Sequence, residues 1–153
     1  AKSTNLKEVS IEQANTKLAK LTPELIDLTL TFEPAGDMTL NVRGLKIQYE
    51  AEAQEFVFCN TARVHGEKAA WNRKGTYRDN GIRRIPAPAV DGKVSLRVLV
   101  DRASLELFVN DGQAAASFVV VPNVENRRIA IEGDDSLSIE KLTVNELGSI
   151  WNQ

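Results

Sequence analysis

Between Val94 and Pro122 the chain reads VSLRVLVDRASLELFVNDGQAAASFVVVP, with apolar residues falling on every second position. Side chains of a strand alternate between its two faces, so a period of two sustained over this length specifies strands and excludes a helix. Two-residue turns at Arg102-Ala103 and Asp111-Gly112 make the pattern self-consistent. The first turn sets Leu96, Val98 and Val100 opposite Val109, Leu107 and Leu105. The second, where Asp-Gly tolerates the positive φ of a type I′ hairpin, sets Leu107 opposite Ala116 and Leu105 opposite Phe118. Three strands thus share one apolar face, and a slip of one residue would put all of it in water. Pro122 closes the third strand because it has no amide proton for a ladder.

The same alternation continues upstream. Ile26, Leu28, Leu30 and Phe32 interleave with Asp27, Thr29, Thr31 and Glu33, which predicts a half-buried strand. Further strands are expected around Met38–Val42, Leu45–Tyr49 and Phe56–Phe58, and then at Arg128–Glu132 and Leu137–Val144. Pro34, Gly36 and Gly44 supply breaks between them. Residues 60–92 have weak periodicity and many Gly, Pro, Asn and Arg residues, so long loops with short strands are expected there. Ser10–Leu21 is the one stretch with helical character, with Ser10 as its cap and Pro23 beyond it; residues 1–21 are read as a linker or short helix. Residues 22–153 are read as one domain, an all-β, two-sheet antiparallel sandwich of the concanavalin or lectin-like jelly-roll type.

Composition excludes several functions. The net charge of −2 over 153 residues supplies no attraction for nucleic acid or an anionic membrane. No apolar run reaches the roughly 18 residues of a membrane helix. A single cysteine, Cys59, rules out an internal disulfide. His65 has no Cys or His at metal-ligand spacing, and Cys59 alternates with Phe58 as a small strand residue without a paired base. Glu132, Asp134 and Asp135 lack the regular oxygen spacing of a calcium loop, so a plain turn is expected and no metal or cofactor. The opening AKSTNLKEVS carries no secretory signal and reads as the interior of a longer protein.

Two places concentrate polar and aromatic groups. On the non-core face of the 94–119 meander, Arg97 lies across from Phe108, and Glu106 lies between Leu99 and Ser117. Arg97, Asp101 and Glu106 are there either as the wet side of a one-sided sheet or as an interface or sugar face. In residues 67–86, Trp71 and Tyr77 interleave with basic residues, a composition suited to sugar binding, to packing on another domain or to a plain loop. Single-stranded nucleic acid would use the same residue types, but the acidic balance argues against it.

LRVLVDRASLELFVNDGQ resembles the signature hairpin of the C-terminal β-sandwich of glycoside hydrolase family 32, the levanases, inulinases and invertases. Leu96, Arg97, Val100, Asp101, Arg102, Ser104, Glu106, Phe108, Asn110, Asp111 and Gly112 match it position by position. ELIDLTLTFEP, LNVRGLKIQYEAEAQEFVFC and LTVNELGSIW are similar to the opening strand, the next hairpin and the closing strand with Trp151. The resemblance spans about residues 22–151 and extends to the fructan-binding modules of carbohydrate-binding family 66.

That resemblance implies a non-catalytic module behind a five-bladed catalytic propeller, in a parent that hydrolyses fructan outside the cell or in the periplasm. The propeller's nucleophile and acid motifs do not occur here, and YRDNG (Tyr77–Gly81) lacks the proline of the family's Arg-Asp-Pro element. Retaining glycosidases need two carboxylates about 5–5.5 Å apart, and no motif supplies them. The implied roles are bracing the propeller and contacting fructan. The alternatives are a free-standing lectin-like module and a structural or homodimerising domain without sugar affinity. Relatives carry Asp-Arg where this chain has Cys59-Asn60. That departure removes two polar sugar contacts, which Asn60 and Arg63 would replace in part. Any sugar contacts are expected from Asn60, Arg63, Trp71 and Tyr77, because an irregular segment can form a pocket where the flat outer face of Arg97, Asp101 and Glu106 offers few.

Overall fold

The computed structural model describes residues 2–59, 82–120 and 122–148. Its elements are β1 (Lys2–Val9), α1 (Ile11–Leu18), β2 (Leu25–Glu33), β3 (Met38–Val42), β4 (Leu45–Glu50) and β5 (Glu55–Cys59). They continue as β6 (Ile82–Pro86), β7 (Val94–Val100), β8 (Ser104–Val109), β9 (Ala114–Val119), β10 (Ile129–Gly133) and β11 (Ser138–Leu147). Two antiparallel sheets face each other, one ordered β1-β11-β2-β7-β8-β9 and the other β10-β3-β4-β5-β6. This is the two-sheet sandwich that the alternation predicts.

The register read from residues 94–119 is the one observed. Val100 pairs with Leu105, Val98 with Leu107 and Leu96 with Val109, while Leu107 pairs with Ala116 and Leu105 with Phe118. The seven inward residues of β7 and β8, Val94 among them, are all buried. Phe118 is half-buried at the sandwich margin, its ring 4.6 Å from that of Phe58. Ile26, Leu28, Leu30 and Phe32 of β2 face the same interior with no exposed surface. Phe32, Tyr49 and Phe56 meet there with centroids 5.1–6.4 Å apart, and the Tyr49 hydroxyl donates to the Ala87 carbonyl at 3.2 Å. Such pairs contribute about 0.5–1.5 kcal/mol each beyond the area they bury.

Residues 1–21, expected as a linker or short helix, contain the helix and one strand more. Ser10 accepts from the Gln13 amide through Oγ at 3.1 Å, and Gln13 Oε1 accepts from the Ser10 amide at 3.0 Å, closing a capping box. Ile11, Ala14 and Leu18 then point into the core beside β10. Before the helix, β1 pairs with β11 from Lys2↔Glu146 to Val9↔Ile139. Only Leu6 and Val9 of β1 pack against the core. An edge strand with so few apolar residues gives almost no period-two signal, so sequence patterning passes over it.

Candidate functional site

The outer face of the six-stranded sheet carries the charged residues of the meander. Asp27 on β2 and Arg97 on β7 are diagonal neighbours on one face, two pairing steps apart, because Asp27 registers with Leu99 and Thr29 with Arg97. The guanidinium donates from Nε to Asp27 Oδ1 at 3.0 Å and from Nη2 to Oδ2 at 2.9 Å. This two-pronged bond to the carboxylate raises the Arg97 pKa above its ordinary value. Arg97 is 53% exposed and Asp27 17%, so the pair sits at the surface and adds about 0–1 kcal/mol to stability. Its value lies in geometry, a planar charged array held in one orientation.

Beside it, Phe108 pairs with Arg97 on one side and with the small Ala115 on the other. Glu106 sits between Leu99 and Ser117, as the register predicts. Asp101 accepts from the Arg102 amide at 2.6 Å, capping the first turn, and Arg102 Nε donates to Glu24 Oε1 at 2.9 Å. The structure therefore brings Arg97 and Glu106 onto one face and gives Asp101 to turn geometry.

The second turn shapes that face. Asn110, Asp111 and Gly112 all adopt positive φ, at 47°, 58° and 92°. Asn110 is 7% exposed; its Oδ1 accepts from the Ser95 amide at 3.0 Å and its Nδ2 donates to the Pro88 carbonyl at 2.8 Å. The turn is thereby tied to β7 and to the loop before it. A flat face is what the alternation alone predicts. Instead a depression of about 530 Å³ opens between the turn and the Arg97–Phe108 row, lined by Asp27, Thr29, Ser95, Arg97, Phe108 and Asp111 among others.

Asn60, Arg63, Trp71 and Tyr77, together with His65, lie outside the described residues. Cys59, just before them, ends β5 and is exposed. Among the described residues no three His, Cys, Asp or Glu side chains gather as metal ligands. In the acidic turn, Asp134 Oδ1 accepts from the Ser136 amide and hydroxyl at 2.8 and 2.6 Å, which lowers its pKa, while Glu132 accepts from Asn41 at 3.1 Å.

The family model described as "Glycosyl hydrolases family 32 C terminal" matches residues 1–146. The chain belongs to that family. Curated relatives include a levanase of Bacillus subtilis (strain 168), 30% identical over 74 residues, covering 48% of this chain and 11% of the relative. A sucrose-6-phosphate hydrolase of Escherichia coli is 32% identical over 72 residues, covering 47% and 14%. The chain thus spans less than a fifth of the length of these relatives. A fructofuranosidase from Schwanniomyces occidentalis, solved with fructosylnystose, superimposes with a TM-score of 0.71 at 16% identity, over 97% of this chain and 34% of that one. Fructan 1-exohydrolase IIa from Cichorium intybus does so at 0.59 and 11%, over 97% and 36%. At such identities the likeness is one of fold. As a family 32 C-terminal domain the chain is the non-catalytic sandwich module of hydrolases of this family.

Two residues that shape the family 32 domain's outer face escape a reading by alternation. Asp27 is visible as an outward residue of β2, but its partner Arg97 is 70 positions away and depends on the β2–β7 register. Asn110 precedes the Asp-Gly pair, and Asn-Asp-Gly is itself a signal for consecutive left-handed residues.

Proposed function

We propose that this domain serves a levanase-like enzyme, where it braces the catalytic propeller and contacts the fructan being hydrolysed. The observation that carries the reading is the family match over residues 1–146, taken with the levanases among the curated relatives. A sandwich with a continuous buried core is a suitable rigid abutment for a second domain. Asn60, Arg63, Trp71 and Tyr77 are the residues we assign to fructan contact, since an aromatic face against a sugar ring and donors to its hydroxyls are the chemistry required. A polymeric substrate is met outside the cytoplasmic membrane, which supports extracellular or periplasmic work.

The test has two arms. The 153-residue chain alone should release no fructose from sucrose, inulin or levan, whereas the chain joined to its propeller should release fructose or short oligofructosides from levan. Hydrolysis by the isolated chain overturns the non-catalytic role. A propeller-bearing protein inactive on every β-fructoside overturns the levanase-like reading. Stable dimers of the isolated chain in sedimentation, without retention on levan, would favour a dimerising structural domain instead.

A further inference from the structure

The depression at Arg97 is the first of three that adjoin. It shares Ser95 and Asp111 with a second of about 370 Å³, which reaches over Thr31 to Lys93 and Glu140. The second shares Thr31 and Glu140 with a third of about 470 Å³, between Lys7 and Lys141. Adjoining at these residues, the three depressions form a row across the strands, an interrupted groove from β8 over β7, β2 and β11 to β1. Four inter-strand spacings amount to roughly 19 Å. Such a groove is too long for one sugar and suited to an oligomer.

Its chemistry is that of a polyhydroxy ligand without charge. Basic and acidic side chains line the groove in near-equal number, and the principal ones are tied to each other: Arg97 to Asp27, and Lys93 Nζ to Glu140 Oε1 at 2.6 Å. At the end of the groove formed by β8, β7 and β2, an ionic ligand would have to displace one of these partners. A neutral sugar would use what the pairs leave over. Arg97 spends two of its five N–H groups on Asp27, and each carboxylate oxygen keeps a free lone pair. The floor adds the hydroxyls of Thr31 and Ser95, 3.1 Å apart, and Phe108 offers an apolar ring beside the ion pair. The wall at Asp111 is held by the buried Asn110, so the groove is shaped before any ligand arrives.

We propose that this groove binds a neutral oligosaccharide chain lying across the strands of the six-stranded sheet, with the Asp27–Arg97 pair and Phe108 holding one sugar unit. The inference rests on the groove's own chemistry; only the choice of fructan as first probe rests on the function proposed above.

The experiment is a titration of the isotope-labelled 153-residue chain with levan-type and inulin-type oligofructosides, alongside malto- and cello-oligosaccharides. Amide shifts are expected at Thr29, Ser95, Arg97 and Gln113, with tetrasaccharides binding at least tenfold tighter than the monosaccharide. Arg97→Gln should weaken binding about tenfold, and Thr29→Trp, which fills the depression, should abolish it, both at unchanged melting temperature. Absence of shifts with every probe overturns the proposal. So does binding that shifts only amides outside the groove and survives Arg97→Gln. That last result, if the ligand is a fructan, would leave the fructan reading intact. Groove binding of malto- or cello-oligosaccharides with none of fructan would support the groove and overturn the fructan reading.

Discussion

The carboxamide of Asn15 forms a closed pair of hydrogen bonds with the backbone of Ile131. It donates to the carbonyl at 2.8 Å and accepts from the amide at 2.8 Å. Ile131 lies on β10, the edge of the five-stranded sheet, so a helix side chain takes the place of a neighbouring strand. An open edge is a template for aggregation, and α1 occupies it here. Asn15→Ala should lower stability by about 1–3 kcal/mol, two part-buried hydrogen bonds being lost. Urea unfolding followed by circular dichroism would measure it, and an unchanged midpoint would show that α1 is not held by this pair.

The sandwich core sets the second expectation. Leu107 is fully buried between β7 and β9, opposite Val98 and Ala116. Truncation to alanine removes three heavy atoms and leaves a cavity, so Leu107→Ala should cost roughly 2–5 kcal/mol. Arg97→Ala, by contrast, should change stability by no more than about 1 kcal/mol, because its ion pair is at the surface. Thermal melts of the two variants side by side would check the ranking.

Asn110 combines a left-handed backbone with two side-chain hydrogen bonds. Asn110→Ala loses the bonds and places a Cβ where φ is unfavourable, at an expected cost of about 2–4 kcal/mol. Asn110→Gly restores the backbone freedom but not the bonds and should recover about 1 kcal/mol of that loss. Equal stabilities for the two variants would show that φ at this position is of no consequence.

Stability at alkaline pH should respond to Tyr49. Burial raises its phenol pKa above 10.0. Above that pH the unfolded chain releases a proton that the folded state retains, so the contribution is complete below pH 10 and is lost as pH rises towards the folded value. Tyr49→Phe should flatten the alkaline limb of the stability profile while forfeiting about 1 kcal/mol at neutral pH with the bond to Ala87. Denaturation profiles at pH values from neutral to above 10 would reveal a parallel offset instead if Tyr49 did not titrate.

The meander was legible because its alternation, its two turns and its core all impose one register. The edge strand β1 was not, since solvent on one side and the sheet margin leave it little apolar content. The outer face was legible in membership, with Arg97, Phe108 and Glu106 placed as their positions dictate, but not in shape. The groove depends on a turn lifted by three left-handed residues and on an ion pair between strands distant in sequence. Neither is periodic, so alternation has no access to either, although the Asn-Asp-Gly triplet signals the left-handed turn by its residue types. Relief of this kind arises where backbone irregularity meets long-range pairing.

The neighbour relations of β1 and α1 also bear on biosynthesis. Both find their partners, β11 and β10, more than a hundred residues further along the chain. At the usual pace of a ribosome the helix and its capping box wait on the order of ten seconds for the strands that cover them. During that interval Ile11, Ala14 and Leu18 have no sandwich to enter, and the nascent segment is a natural client for a chaperone at the exit tunnel. Sheet closure by β11 is then the step that ends this exposure, so a stalled or truncated chain lacking β11 should be cleared by proteases rather than accumulate.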